Sequence, residues 1–294
     1  MCDSEGPTGH EAVDEGVRIV VVGKGGVGKS TLSALIARTM ARTGARVVAV
    51  DADEQCNLGA TLGVDAHRLG AVVPLARDAD YVQEKTGSRP GEGSGAMLRL
   101  NPDTADVVER LSISAPDGVQ LLVMGGVQSA GGGCLCPENA LLAAAIANMR
   151  LRRGEFVIMD THAGLEHFGR ALARGFDQAV IVVEPTFNSV DVGLKTAHLA
   201  RELGIDSIGL VINQCRTVDD VVEVLTCAEQ LGGFEFSFIH QLPFDDRLVA
   251  LDPSVGRVLD DSALTLAVVA LCRDMVGVHA DAPRPYEFSL KVHP

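Results

Sequence analysis

The chain holds 294 residues, 47% hydrophobic and 22% charged, enough for one large layered domain or two small ones with a sizeable core. Its 39 acidic residues outweigh 25 lysines and arginines, and the resulting charge of −14 repels phosphate backbones and anionic bilayers, so neither nucleic acid nor membrane is expected as a partner. Seven cysteines, an odd count scattered along the chain, argue against a secreted disulfide scaffold and for reduced thiols in a cytoplasm.

In chain order, the first 16 residues, MCDSEGPTGHEAVDEG, are acidic, lack the apolar stretch of a leader and are expected to form a disordered tail. Residues 17–278 then read as one domain in which short β-branched runs alternate with helical patterns. RIVVVG (18–23) is a strand, GKGGVGKS follows it, and a helix is expected over 29–43 before the strand RVVAVD (46–51). The rhythm breaks at residues 65–118, where short helical pieces flank TGSRPGEGSG (86–95), and an insertion with a flexible, solvent-facing loop is expected. The strand VQLLVM (119–124) leads to GGGCLCPEN (131–139) and a helix over 138–150. EFVIMD (155–160), QAVIVVE (178–184), SIGLVIN (207–213) and FEFSFI (234–239) complete the strands; helices are expected over 189–203, 218–231 and 256–276, and residues 279–294 form a second tail. Cys227 and Cys272 lie among apolar residues and read as core. Right-handed crossovers give an α/β fold, a doubly wound, mostly parallel sheet with helices on both faces. No apolar run reaches the roughly 18 residues of a membrane span.

GKGGVGKS, Gly23 to Ser30, fits the phosphate loop G-x-x-x-x-G-K-S between a strand and a helix, which makes the fold a P-loop NTPase. Gly23, Gly25, Gly26, Val27 and Gly28 let the backbone turn its N–H groups toward an anion. Lys29 adds an ammonium for the β- and γ-phosphates of ATP, and Ser30, with Thr31 beside it, is placed to bind Mg²⁺. Lys24 is an extra positive charge at the loop's start, read either as a solvated lysine or as one that crosses a dimer interface to the partner's phosphates. Asp160 closes an apolar strand, a position from which a carboxylate reaches Mg²⁺, directly or through water, and Gly164 can give its N–H to a γ-phosphate.

KGGVGKST resembles the deviant Walker A loop of the family that contains the septum-site and plasmid-partition ATPases, nitrogenase iron protein and the arsenite-pump ATPase. The resemblance implies nucleotide-dependent dimers that bind ATP or ADP and use Lys24 in trans. DADEQCNLGATLGV (51–64) is similar to the family's first switch, in which Asp53 would orient the attacking water; Glu54 stands where proline is usual. Asp51 would support the metal or the loop, and Asn57 would cap the next helix. By the same resemblance Asn213 would hydrogen-bond the adenine and Pro243 would line its other side, although a strand-end asparagine is as often a turn former.

Cys134 and Cys136 are too close for an unstrained disulfide, but both sulfurs can face one ion. Read from the residues alone, the pair is inert, a weak redox couple, or half of a four-sulfur centre completed across a two-fold axis. LLVMGGVQSAGGGCLCPENALL and its surroundings resemble the nickel-insertion ATPases of carbon monoxide dehydrogenase maturation, over residues 18 to about 250. That resemblance implies a homodimer, promoted by ATP or metal, which holds Ni²⁺ or Zn²⁺ between Cys134 and Cys136 of both subunits and serves a nickel–iron–sulfur carbon monoxide dehydrogenase. This chain departs from the branch at His162, commonly glutamate, and at FNSVD after EPT, commonly more basic. Two other readings remain: a partition- or septum-site-like positioning protein, and a reductase like nitrogenase iron protein, whose cluster ligands are well separated along its chain.

Overall fold

Strand β1 (Val17–Gly23) sends Val17, Ile19 and Val21 into one hydrophobic cluster and Val20 and Val22 into another, so the period-two alternation of a strand here serves two buried faces. The computed structural model describes residues 16–87, 89, 104–125, 141, 144–146, 149, 151–162 and 175–277. Within them β2 (Arg46–Ala52), β3 (Ile113–Ser114), β4 (Gln120–Val123), β5 (Glu155–Thr161), β6 (Gln178–Val183), β7 (Ser207–Cys215) and β8 (Phe238–Pro243) complete an eight-stranded sheet in the order β3-β4-β2-β5-β1-β6-β7-β8. Every pairing is parallel except that of β3 with β4. The doubly wound α/β architecture expected from the sequence is present. The chain leaves β1 toward β2 on one side and later crosses to β6 on the other, and such a reversal opens a crevice at the carboxyl ends of the strands.

Helix α1 (Lys29–Arg42) packs Leu32, Leu35, Ile36 and Met40 into the first cluster, at the spacing of a helix face. Short helices α2 (Leu58–Leu62), α3 (Ala66–Gly70), α4 (Ala79–Thr86) and α5 (Val107–Leu111) follow β2, and Tyr81, Val82 and Val107 bury themselves in the second cluster. Helices α6 (Phe187–Glu202) and α7 (Val218–Gln230) cover that same face, and α8 (Ala263–Gly277) lies against α1 on the other. Of the helix expected over 138–150, residues 141 and 144–146 are described and helical, and the Arg18 guanidinium donates to the carbonyls of Ile146 at 3.2 Å and Met149 at 2.6 Å. Cys272 is fully buried and Cys227 half-buried against the core. Residues 1–15 of the first tail and all of the second lie outside the described residues, whereas Gly16 is buried and donates its N–H to Leu151 O at 3.3 Å. Among those described, no helix is long and apolar enough to cross a membrane.

Two boundaries differ from expectation. The last strand begins at Phe238 rather than 234, because Phe234 and Phe236 pack on each other (centroids 4.8 Å apart) and Phe234 meets His198 of α6 edge-on at 5.1 Å, so the aromatic alternation covers helices before it enters the sheet. The last helix begins at Ala263 rather than 256, since the Ser262 hydroxyl accepts from Thr265 N at 2.9 Å and starts it there, after a separate 3-10 turn at Val255–Arg257.

The register of β7 on β8, which sets Cys215 against Pro243, depends on the absence of a side chain at Gly209: a Cβ there would run into the Phe238 ring. Gly209→Ala is expected to cost about 1–3 kcal/mol by overpacking. Urea unfolding measures the loss, and Phe238→Leu in the same chain should recover part of it; equal losses in single and double variants would show that the two residues do not meet.

Candidate functional site

The loop after β1 curls through three glycines with positive φ or near-extended strain, Gly23 (φ 154°), Gly26 (84°) and Gly28 (93°), the last at the N-cap of α1. At Gly28 a side chain is excluded twice, by its left-handed backbone and by the Asn213 amide nitrogen that fills the space. Lys29 is 7% exposed and its ammonium donates to the Lys24 carbonyl at 3.1 Å. Burial lowers its pKa, and the charges of Asp160 and Asp53 pull it back up. Lys24 pairs with Glu184 just beyond β6, Nζ to Oε1 at 3.8 Å.

Beside the loop stand two buried carboxylates. Asp51 of β2 and Asp160 of β5 are register partners on adjacent parallel strands, and both are fully buried. Burial pushes Asp51 up to about 7, with the Asp160 charge adding to it. Asp160 rises to about 6, again by burial, against the opposing pull of the Ser30 hydroxyl and the Lys29 charge. Ser33, one turn into α1, donates to Asp160 Oδ1 at 3.3 Å, while Oδ2 is buried with no hydrogen-bond partner among the described residues. Asp51 has structural work too: it accepts from Asp53 N at 3.3 Å and from Leu58 N at 2.9 Å. It thereby does the capping expected of Asn57, whose amide turns instead to Gln55 at 3.1 Å. Asp53 accepts from Gln55 N at 2.8 Å, and Cys56 follows in a left-handed conformation (φ 50°).

On the far side of α1, Gly26, Gly28, Thr31, Leu32 and Leu35 share a cavity of ≈ 220 Å³ with Asn213, Leu242 and Pro243. A register irregularity between Ile212 and Cys215 puts Gln214 at φ 61°, and two successive carboxamides reach the loop: Asn213 Nδ2 donates to Val27 O at 2.7 Å and Gln214 Nε2 to Gly26 O at 3.4 Å. The structure therefore gathers Lys24, Lys29, Ser30, Thr31, Asp51, Asp53, Asp160, Asn213 and Pro243 around one crevice, the sheet's carboxyl edge. Glu184, Ser33 and Gln214 belong to it as well and were not singled out by sequence. A carboxylate immediately after a strand end was the available signal for Glu184, but only strand order reveals that β6 neighbours β1. Gly164, Cys134 and Cys136 lie outside the described residues, and His162 ends a described segment.

An unpartnered oxygen in a pair of buried acids suits a dication, which shares a site with one or two carboxylates and leaves its other positions to phosphate and water. Among the described residues no cluster of three or more His, Cys, Asp or Glu could hold a metal alone. The description of the CobQ/CobB/MinD/ParA nucleotide binding domain matches residues 19–252. The chain belongs to that family. Within the CobQ/CobB/MinD/ParA family it is 39% identical over 236 residues to the carbon monoxide dehydrogenase accessory protein CooC of Rhodospirillum rubrum, covering 80% of this chain and 87% of the relative. It is 33% identical over 233 residues to an uncharacterised ATP-binding protein of Methanocaldococcus jannaschii, with 79% and 87% covered. The MinC:MinD cell division complex of Aquifex aeolicus shares the fold at a TM-score of 0.60 and 21% identity, over 92% of this chain and 99% of that one. The similarity to CooC bears out the accessory-ATPase resemblance read from the sequence, and the domain is a nucleotide-binding ATPase domain of the family.

The raised acids carry a pH signature. A carboxylate whose folded pKa lies above its unfolded value stabilises the fold below the ordinary carboxylate range and loses that contribution as pH rises through the folded value. Without nucleotide or divalent ion, Asp160→Asn should therefore gain stability relative to the parent as pH climbs from about 4 toward about 6. Unfolding curves across that window check it; parallel pH profiles would show that burial does not raise Asp160.

Proposed function

We propose that the protein is an ATP-hydrolysing, dimeric maturation factor that assists nickel insertion into a nickel–iron–sulfur carbon monoxide dehydrogenase. The observation that carries the hydrolytic half is the meeting of Asp51 and Asp160 beside Lys29 at the mouth of the phosphate loop. The client half is supported by the similarity to CooC together with the C-L-C pair at Cys134 and Cys136.

In this reading the loop amides from Gly23 to Ser30 and the Lys29 ammonium cradle the phosphates, and Asn213 and Pro243 flank the base in the cavity beside Leu242. Ser30 and Asp160 would hold Mg²⁺, with Asp51 in support; the ion would supply charge neutralisation at the phosphates. Asp53 orients the attacking water, Gly164 donates to the γ-phosphate, and Lys24 meets the developing charge on the partner's nucleotide. No strong base is needed, because positioning and electrostatics supply most of the acceleration in phosphoryl transfer. Exchange between ATP- and ADP-bound states shifts the dimer between closed and open forms, and so shifts the hold of the paired thiol loops on their cargo ion. Four thiolates suit Zn²⁺ when tetrahedral and Ni²⁺ when planar, so the ion found after purification reports availability as much as role.

Metal titration followed by native mass, with and without ATP, tests the shared site. One ion per two chains is expected, with dimer favoured, and both should be lost in Cys134→Ser/Cys136→Ser while nucleotide binding persists. One ion per single chain, retained by the double variant, would rule out a thiol centre at the two-fold axis.

A further inference from the structure

We propose that Glu184 is a positioning residue for Lys24, parking its ammonium within its own subunit until the nucleotide phosphates of a second copy of the chain compete for it. This rests on the reading that Lys24 acts across the dimer. The placement comes from the sheet: Gly23 is the register partner of Val182, so the residues just beyond β6 stand next to the start of the phosphate loop. There the Lys24 ammonium lies 3.8 Å from Glu184 Oε1, and the Thr186 hydroxyl donates to that same oxygen at 3.3 Å. Glu184 N donates to Ser189 Oγ at 3.0 Å, and Thr186 caps α6 by accepting from Ser189 N at 3.4 Å. The carboxylate is thus fixed at the N-terminus of a 16-residue helix, where the helix dipole favours its charge.

Two features make the hold reversible. The side chains of Lys24 and Glu184 are 39% and 23% exposed, so solvent screens the pair and the attraction is weak. The Lys24 carbonyl, in turn, is held by the Lys29 ammonium at 3.1 Å. When Lys29 turns to bound phosphates it gives up that carbonyl, which loosens the backbone from which Lys24 reaches. The two lysines form a chain, Lys29 to Lys24 to Glu184, and its first link is the one that nucleotide takes. One lysine cannot serve Glu184 and a partner's phosphates together, so the closed dimer forms only as the Glu184 pair opens.

The test uses the full chain with Mg²⁺ and a non-hydrolysable ATP analogue, and reads the protein concentration at half-maximal dimer by sedimentation. Glu184→Gln should lower that concentration about two- to fivefold, the range of an exposed ion pair, and the gap should close in high salt. Analogue affinity, measured on the dilute monomer, should change by less than the dimer midpoint does. Because the chain is acidic, the cycle with Lys24→Ala is decisive: in that background Glu184→Gln should change nothing. A gain that persists without Lys24 would mean relief of general repulsion and would overturn the proposal, as would an unchanged or raised midpoint in the single variant. If Lys24→Ala alone leaves the dimer midpoint where it was, the trans role itself fails, and that result is separable from any defect of Glu184.

Discussion

The constraint on which the site depends is the juxtaposition of Asp51 and Asp160. In-register pairing of β2 with β5 forces two acids to neighbour each other at full burial, where charge is costly and like charges repel. A fold that keeps both must offset them, and Lys29 is the buried cation beside them. One ammonium against two carboxylates, with an unpartnered oxygen on Asp160, leaves a deficit that a dication beside a phosphate chain would fill. Asp51 also holds the amides of Asp53 and Leu58, so its charge state is tied to the segment that carries Asp53, the carboxylate proposed to orient water. A change of occupancy at the metal position would thus be felt in that segment through two hydrogen bonds.

The remaining strands supply what this pair lacks. Because β5 and β6 flank β1, the loop receives Asp160 from one side and Glu184 from the other, an acid for each of its lysines. The irregular end of β7 adds two carboxamides on successive loop carbonyls, at the cost of a left-handed Gln214. Sheet order, rather than any single motif, turns a glycine-rich turn into a site with opposed charges on its two sides.

Much of this was legible in the sequence, for a physical reason: residues at strand ends in a parallel sheet share one edge. GKGGVGKS, Asp51, Asp160 and Asn213 could be placed by finding where apolar runs stop, and Pro243 by the family resemblance. What depended on lateral order was hidden. Glu184 follows a strand just as Asp160 does, but its meaning comes from β6 lying beside β1. Ser33 sits within a helical pattern and shows itself only when α1 is laid against β5. Asn57 looked like a cap because its residue type suits one, whereas a buried carboxylate from the preceding strand took the amide. The shift of β8 has a similar origin, since alternation marks a half-buried surface without saying whether sheet or helices cover it. Cys134 and Cys136 are the opposite case, known from their spacing alone.

The central claim is that two partly protonated buried acids accept a dication with the nucleotide. Calorimetry of Mg·ADP binding near pH 6.5, in two buffers of different ionisation enthalpy, measures the protons released. The account predicts net release by the parent chain, because the raised acids must ionise to meet the ion, and a clearly smaller release by Asp51→Asn. Equal proton release in both proteins, or binding that ignores Mg²⁺, would contradict it.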